Sequence, residues 1–235
     1  MEERRTSEVA AAIEKVRRRI DDACRAAGRD PGEVRLLLAS KTQPPERILQ
    51  ALEAGVTLFG ENRVQELVEK ARALEGRPIE WHFIGHLQRN KIRRVLDFAR
   101  VVQSVDRPAL VDDLVRELEK RDARLRVFLQ VNTSGEASKF GVRPEEAEAL
   151  ARHIASSGRL ELEGLMTIAL HAEDPEGARP CFRLLRAIRD DLRARGFGPL
   201  RELSMGMSGD LEVAIEEGAT IVRVGTAAFG ARAPA

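Results

Sequence analysis

Lys41 ends an apolar run, VRLLLAS at 34–40, and an amine so placed invites one kind of chemistry. In a partly dry setting a lysine's pKa falls, and the neutral amine attacks aldehydes. Standing alone, it would read as a solvated lysine at the end of a strand. Two further stretches, SMGMSG at 204–209 and VGT at 224–226, combine glycine with hydroxyl side chains. Such turns let backbone N–H groups approach an anion, and Ser208-Gly209-Asp210 can open a helix whose positive end faces a phosphate. Taken singly, each is equally well an ordinary turn with an N-cap serine. Arg223 interrupts the apolar run TIVRVG at 220–225, where alternation puts it on one face with Ile221. A buried guanidinium needs an acceptor, either a ring nitrogen or a carboxylate. Amine, anion cradle and guanidinium together point to a small aldehyde that carries a phosphate, of which pyridoxal 5′-phosphate (PLP) is the cofactor example.

Residues this far apart meet only if the fold gathers strand ends. Eight strand-like runs follow one another: VRLLLAS (34–40), TLFGEN (57–62), EWHFIGH (80–86), VVQSVD (101–106), RVFLQVN (126–132), LELEGLMTI (160–168), RELSM (201–205) and TIVRVG (220–225). Helix-like segments lie near 44–54, 62–75, 87–97, 107–121, 144–157, 175–195 and 209–217. Pro44-Pro45-Glu46, Arg107-Pro108 and Pro144-Glu145-Glu146 open three of them, and Gly55, Gly76, Gly158, Gly196 and Gly218 close five of the seven. A further helix at about 6–27 comes first, with Val9, Ile13, Val16 and Ile20 on one face. The rhythm predicts a parallel sheet with helices outside it. Eight even units favour closure into a (β/α)8 barrel, an α/β fold with an extra N-terminal helix, over an open doubly wound sheet. No linker divides residues 1–235, so one domain is expected. In such barrels chemistry sits at the C-terminal strand ends, which gathers Lys41, Asn62, His86, Ser204, Ser208, Arg223, Gly225 and Thr226 at one mouth. His82 shares a face with His86, whereas His153 and His171 are expected to face solvent.

Composition narrows the partners. With 39 basic and 38 acidic residues, the net charge of +1 gives no general pull toward nucleic acid or an anionic membrane. Lysine supplies only six of the basic residues (15, 41, 70, 91, 120 and 139), so a lysine in an apolar setting stands out. Cys24 and Cys181 are far apart, lack metal-ligand spacing and read as free thiols. The first twenty residues lack the apolar core of a signal peptide, and no apolar run reaches the roughly 18–20 residues of a membrane span. A soluble cytoplasmic protein is expected, with no metal site, no Ser-His-Asp order and no P-loop.

Eight stretches carry a resemblance: ASKTQP, FGENRVQEL, WHFIGHLQRNK, VQSVD, VNTSGEASKFG, GLMTI, LSMGMSGDLEVAIEEGAT and VRVGTAAFGAR. From about residue 34 to 231 the chain resembles the pyridoxal-phosphate homeostasis proteins, whose barrel is similar to that of alanine racemase (fold type III). The resemblance implies PLP carried as a Schiff base on Lys41. Its phosphate would be held by Ser204, Ser208, Gly225 and Thr226, its pyridine nitrogen would face Arg223, and Asn62 and His86 would line the pocket. It implies a role in vitamin B6 and amino-acid homeostasis. PLP-dependent apoenzymes are the expected recipients, and a barrel with no second domain is expected to be a monomer or weak dimer. The family's usual Lys-Thr-Lys-Pro is here Lys41-Thr42-Gln43-Pro44, so a second lysine proposed to relay PLP is missing, though Lys139 remains. Arg63 stands where a tyrosine often follows Gly-Glu-Asn.

The competing expectation is an amino-acid racemase, which needs an acid/base on each face of the substrate, the second commonly a tyrosine. The chain contains no tyrosine. A permanently charged guanidinium also leaves the pyridine nitrogen unprotonated, which weakens PLP as an electron sink. A carrier or regulator is therefore expected rather than an enzyme. A barrel enzyme for phosphorylated sugars is a third reading, and it would recast Lys41 as an aldolase-type lysine.

Overall fold

The computed structural model describes residues 2–170 and 172–230, so the expectation for His171 lies outside the described residues. Eight parallel strands close into a barrel in sequence order: β1 (Arg35–Ala39), β2 (Leu58–Glu61), β3 (Glu80–Phe83), β4 (Val101–Val105), β5 (Leu125–Gln130), β6 (Leu160–Met166), β7 (Glu202–Ser204) and β8 (Ile221–Val224). The seam joins β1 to β8, with Leu37 opposite Arg223 and Leu38 opposite Val224. Strands covered on both faces need continuous apolar runs, and that is how these segments read. One apolar cluster fills the interior, formed by Leu37, Leu58, Ile84, Val101, Phe128, Met166 and Ile221. A second, larger one lies between the strands and the surrounding helices.

The outer layer comprises α1 (Glu2–Ala26), α2 (Pro45–Glu53), α3 (Val64–Ala73), α4 (Ile92–Leu96), α5 (Pro108–Glu119), α6 (Ala147–Ser156), α7 (Arg179–Ala194), α8 (Leu211–Glu216) and the single turn α9 (Thr226–Phe229). No full helix follows β8 among the described residues, and α1 covers the seam instead, packed on α2, α8 and α9. Its Val9, Ile13, Val16, Ile20 and Cys24 are buried there, each apolar side chain contributing roughly 1.5–3 kcal/mol. Arg19 of α1 grips Glu212 of α8 through both Nε (2.6 Å) and Nη2 (2.9 Å) and donates to the Ser208 carbonyl at 3.0 Å. The helix thus seals the barrel and steadies a turn at its mouth.

Several elements are shorter than their apolar runs. β7 stops at Ser204, because Gly206 adopts φ +88° and turns the chain over the barrel end. A Cβ at Gly206 would lie 2.5 Å from that of Ala214, so only glycine fits the turn. The segment near 87–97 splits into a 3-10 turn at Arg89–Lys91 and the five-residue α4.

At the opposite end of the barrel, Glu80 accepts from Arg35 at 2.7 Å, Arg126 at 3.0 Å and the His82 ring at 3.1 Å. The His82 hydrogen bond, opposed by burial and helped by both arginines, pushes the Glu80 pKa down to about 2 from 4.5. A depressed carboxyl pKa stabilises the fold above its unfolded value, and that contribution is lost as pH falls from about 4.5 toward 2. Glu80→Gln is therefore expected to lose less stability than the parent between about pH 5 and about pH 3, measured by thermal unfolding. Equal acid sensitivity of the two proteins would contradict this account.

Candidate functional site

A cavity of about 510 Å³ opens where β1, β8 and the turns after β6 and β7 end, within the roughly 300–1,000 Å³ usual for small-molecule sites. Lys41 and Arg223 line it, with Ser208, Gly209, Asp210, Gly225 and Thr226 from the last two turns. Leu170, Ala172 and Glu173, from the β6–α7 connection, form the facing wall.

Lys41 is bracketed by its neighbours' bonds. Ser40 donates its backbone N–H to Gly60 at 3.1 Å and its hydroxyl to Glu61 at 2.7 Å. Thr42 donates its N–H to Glu66 at 2.7 Å. Lys70 of α3 ties these together through the Ser40 carbonyl (2.7 Å), Glu61 Oε1 (2.7 Å) and Glu66 Oε2 (3.0 Å). An ammonium has three hydrogens, and Lys70 spends all of them here. Burial raises the Glu61 pKa despite Lys70, whereas Glu66, also opposed by burial, is held below its usual range by the Thr42 N–H and Lys70. The bracket holds Thr42 at φ +64°, a left-handed conformation that costs a β-branched residue on the order of 1–3 kcal/mol. The point where the Lys41 side chain leaves the barrel wall is fixed on both sides.

Arg223 is buried, as alternation with Ile221 requires. It donates from Nη1 to Ser204 Oγ at 2.9 Å and from Nη2 to the Thr167 carbonyl at 2.7 Å, and it makes no ion pair among the described residues. The carboxylate alternative for its partner thus fails. Burial, countered in part by the field of Asp210, lowers its pKa to about 10, so it stays charged at neutral pH. A fixed positive charge with only neutral partners faces the cavity.

The two turns are joined to each other, since Ser208 Oγ accepts the Ala227 N–H at 3.3 Å. A Cβ at Gly209 would meet nothing within 4 Å, and one at Gly225 would lie 3.3 Å from the Ala39 carbonyl. An anion can therefore approach the first glycine closely, and the second lets β8 run tight against β1.

Of the eight residues read from the sequence, Lys41, Ser208, Arg223, Gly225 and Thr226 share the cavity. Ser204 does not. It is fully buried, its hydroxyl donates to Gln103 Oε1 at 2.6 Å and accepts from Arg223, and its side chain supports the guanidinium. Asn62 is half-buried, off the cavity wall, with its backbone packed against Gly85. His86 is exposed, stacked on Phe140 with centroids 4.0 Å apart and 3.4 Å from Asp106. Lys139 donates to the Ala169 carbonyl at 2.8 Å and pairs with Glu136. The sequence reading missed the wall formed by Leu170, Ala172 and Glu173 and the supports Gln103 and Lys70. A position just after the sixth strand was the signal for the wall, whereas no spacing in the sequence marks Lys70 or Gln103 as a support. Among the described residues no cluster of His, Cys, Asp and Glu could hold a metal ion, and no helix is long and apolar enough to cross a membrane.

The family model described as alanine racemase, N-terminal domain, matches residues 14–233. A pyridoxal phosphate homeostasis protein of Aquifex aeolicus is 44% identical over 220 residues, covering 94% of this chain and 96% of that one. One of Pseudomonas aeruginosa is 45% identical over 226 residues, covering 96% of each. The structure of PipY from Synechococcus elongatus with PLP bound superposes with a TM-score of 0.82 at 31% identity, covering 94% of this chain and all of that one (100%).

Proposed function

The chain belongs to the family of pyridoxal phosphate homeostasis proteins, and from that premise we propose that it holds PLP at the barrel mouth as a Schiff base on Lys41. The observation that carries this reading is that Lys41 and Arg223, a guanidinium without an ion pair among the described residues, line one cavity together with a glycine- and hydroxyl-rich double turn. When bound, PLP supplies an aldehyde that condenses with a primary amine. Ser208, Gly209, Gly225 and Thr226 hold the phosphate. Arg223 offers hydrogen to the pyridine nitrogen and, keeping its own proton, leaves that nitrogen unprotonated.

The chain's remaining residues fit custody of the cofactor better than turnover. A racemase requires a second acid/base opposite the lysine, and the chain has no tyrosine to serve. The facing wall presents Leu170, Ala172 and Glu173. As a cytoplasmic carrier, monomeric or weakly dimeric, it keeps a reactive aldehyde away from other amines and releases it to PLP-dependent apoenzymes. Lys41→Ala tests the attachment. Incubated with PLP, the parent is expected to show a visible absorbance band that borohydride removes, and the variant to show none with its thermal midpoint nearly unchanged. A band that survives the substitution sinks the assignment. D-Alanine accumulating from L-alanine at rates typical of enzymes, about 1 per second or faster, would instead establish the racemase.

A further inference from the structure

Arg223 begins a chain of hydrogen bonds that runs through the barrel from the mouth to the opposite end. Its Nη1 donates to Ser204 Oγ (2.9 Å), Ser204 Oγ bonds Gln103 Oε1 (2.6 Å), Gln103 Nε2 bonds His82 Nδ1 (2.7 Å), and His82 Nε2 bonds Glu80 Oε1 (3.1 Å). Ser204, Gln103 and His82 are at most 1% exposed, so water does not substitute for any link. The two ends, together with the Gln103 amide, whose Oε1 faces Ser204 and whose Nε2 faces His82, fix the direction of every hydrogen between them. A guanidinium only donates, and an ionised carboxylate only accepts. Ser204 must therefore give its hydrogen to Gln103, the Gln103 amide must give one to His82 Nδ1, and His82 must be neutral with its hydrogen on Nε2. Burial, which lowers the His82 pKa, agrees. Glu80 is itself gripped by Arg35 and Arg126, and the edge of Phe128 closes the side of the His82 ring.

We propose that Gln103 and His82 are positioning residues for the bound cofactor: their one-way relay, anchored on Glu80, holds the Arg223 guanidinium in the orientation that meets the pyridine nitrogen. This rests on the PLP reading given above. The second anchor, the Thr167 carbonyl on Nη2, is itself fixed because the Thr167 hydroxyl donates to the Val131 carbonyl at 2.8 Å. With both Nη atoms held, the guanidinium has one pose. No link is a carboxylate until the far end of the barrel, so the relay itself brings no anion into contact with Arg223, and Asp210 acts on it only through its field. An anion nearer to Arg223 would draw hydrogen bonding toward itself and favour a protonated pyridine nitrogen.

Two substitutions at Gln103 separate the relay from mere packing. Gln103→Glu keeps the shape and, where ionised, only accepts, so His82 Nδ1 must then gain a hydrogen and the ring becomes a cation flanked by two carboxylates. In cofactor-free protein, nitrogen NMR of the parent is expected to show His82 neutral with hydrogen on Nε2 from about pH 6 to about pH 9. Gln103→Glu should raise its proton affinity about tenfold or more. With PLP, Gln103→Glu should retain the visible band and move its pH profile to more alkaline values. Gln103→Leu should retain the band while weakening PLP binding about tenfold, measured well below the unfolding temperature. Parental His82 carrying its hydrogen on Nδ1, or Gln103 variants with parental PLP affinity and pH profile, would overturn the proposal. If the parent shows no band at all, the PLP reading and the positioning role fail together, while the His82 result still decides the relay's polarity.

Discussion

Lys70→Met is expected to cost about 3–5 kcal/mol of stability, because it strands the Glu61 carboxylate in the protein interior. Lys70 and Glu61 are almost fully inaccessible, their side chains 6% and 0% exposed, and among the described residues the Lys70 ammonium is the only cation bonded to Glu61. Methionine nearly matches the lysine stem in volume, so packing loss is a minor part of the effect. What disappears is one end of a pair that also carries the Ser40 carbonyl and the Glu66 carboxylate. The sign of the pH dependence identifies the cause. Burial already raises the Glu61 pKa, and removing Lys70 raises it further. A carboxyl whose folded pKa lies above its unfolded value is favourable while protonated and becomes a burden as pH rises. The deficit of Lys70→Met should therefore shrink in mildly acid solution and grow toward neutral pH. Adding Glu61→Gln should recover much of it, since a neutral amide has no charge to strand. Denaturant midpoints at two pH values check all three statements. A deficit below about 1 kcal/mol that ignores pH would show that the bracket does not depend on this pair. Because the same bonds fix Ser40 and Thr42, the variant should also bind PLP more weakly than its folded fraction explains.

The barrel was legible because its strands are buried on both faces and its helices on one, which writes two different periods into the chain. Arg223 is the clearest instance: period-two alternation placed it inside with Ile221, and the structure has it there. The seam was less legible. α1 was visible as an amphipathic helix, yet nothing in its pattern says that it covers the seam where no full helix follows β8 among the described residues. Within the site, residues that carry the chemistry could be found one strand end at a time, whereas their supports could not. Ser204 reads as a hydroxyl beside a glycine turn. That its hydrogen belongs to Gln103, 101 residues away, depends on which way β4 faces at that level. Lys70 reads as one more basic residue on a helix. Only the β2–α3 geometry shows that it reaches beneath the turn holding Lys41. His86 was drawn toward the mouth by its strand position. Its stacking on Phe140 depends on the long loop between β5 and α6, which no periodic signal describes.

Two glycines in the candidate site should respond to alanine in opposite ways. Gly85→Ala is expected to cost about 3 kcal/mol or more, whereas Gly209→Ala should leave stability within about 0.5 kcal/mol. A Cβ at Gly85 would stand 2.1 Å from the Asn62 carbonyl oxygen and 2.7 Å from its Cα. Those atoms are backbone, so no side-chain rotation relieves the overlap, and the β2–α3 connection must move off the end of β3. Gly85 does not have positive φ, so the penalty comes from contact and not from conformation. The same displacement moves Asn62 and tugs at Glu61, one residue back, and through it the bracket around Lys41. Loss of stability and loss of PLP binding should therefore appear together in Gly85→Ala. Gly209 has neither constraint: its φ is also ordinary, and its Cβ would point into open space. That space is where the phosphate lies in the function proposed above, so Gly209→Ala should keep the parental thermal midpoint yet weaken PLP. Pyridoxal, which lacks the phosphate, should bind the Gly209→Ala variant and the parent alike. If Gly209→Ala weakens PLP and pyridoxal equally, the turn after β7 is not the phosphate cradle. If it weakens neither, the phosphate is held elsewhere on the rim.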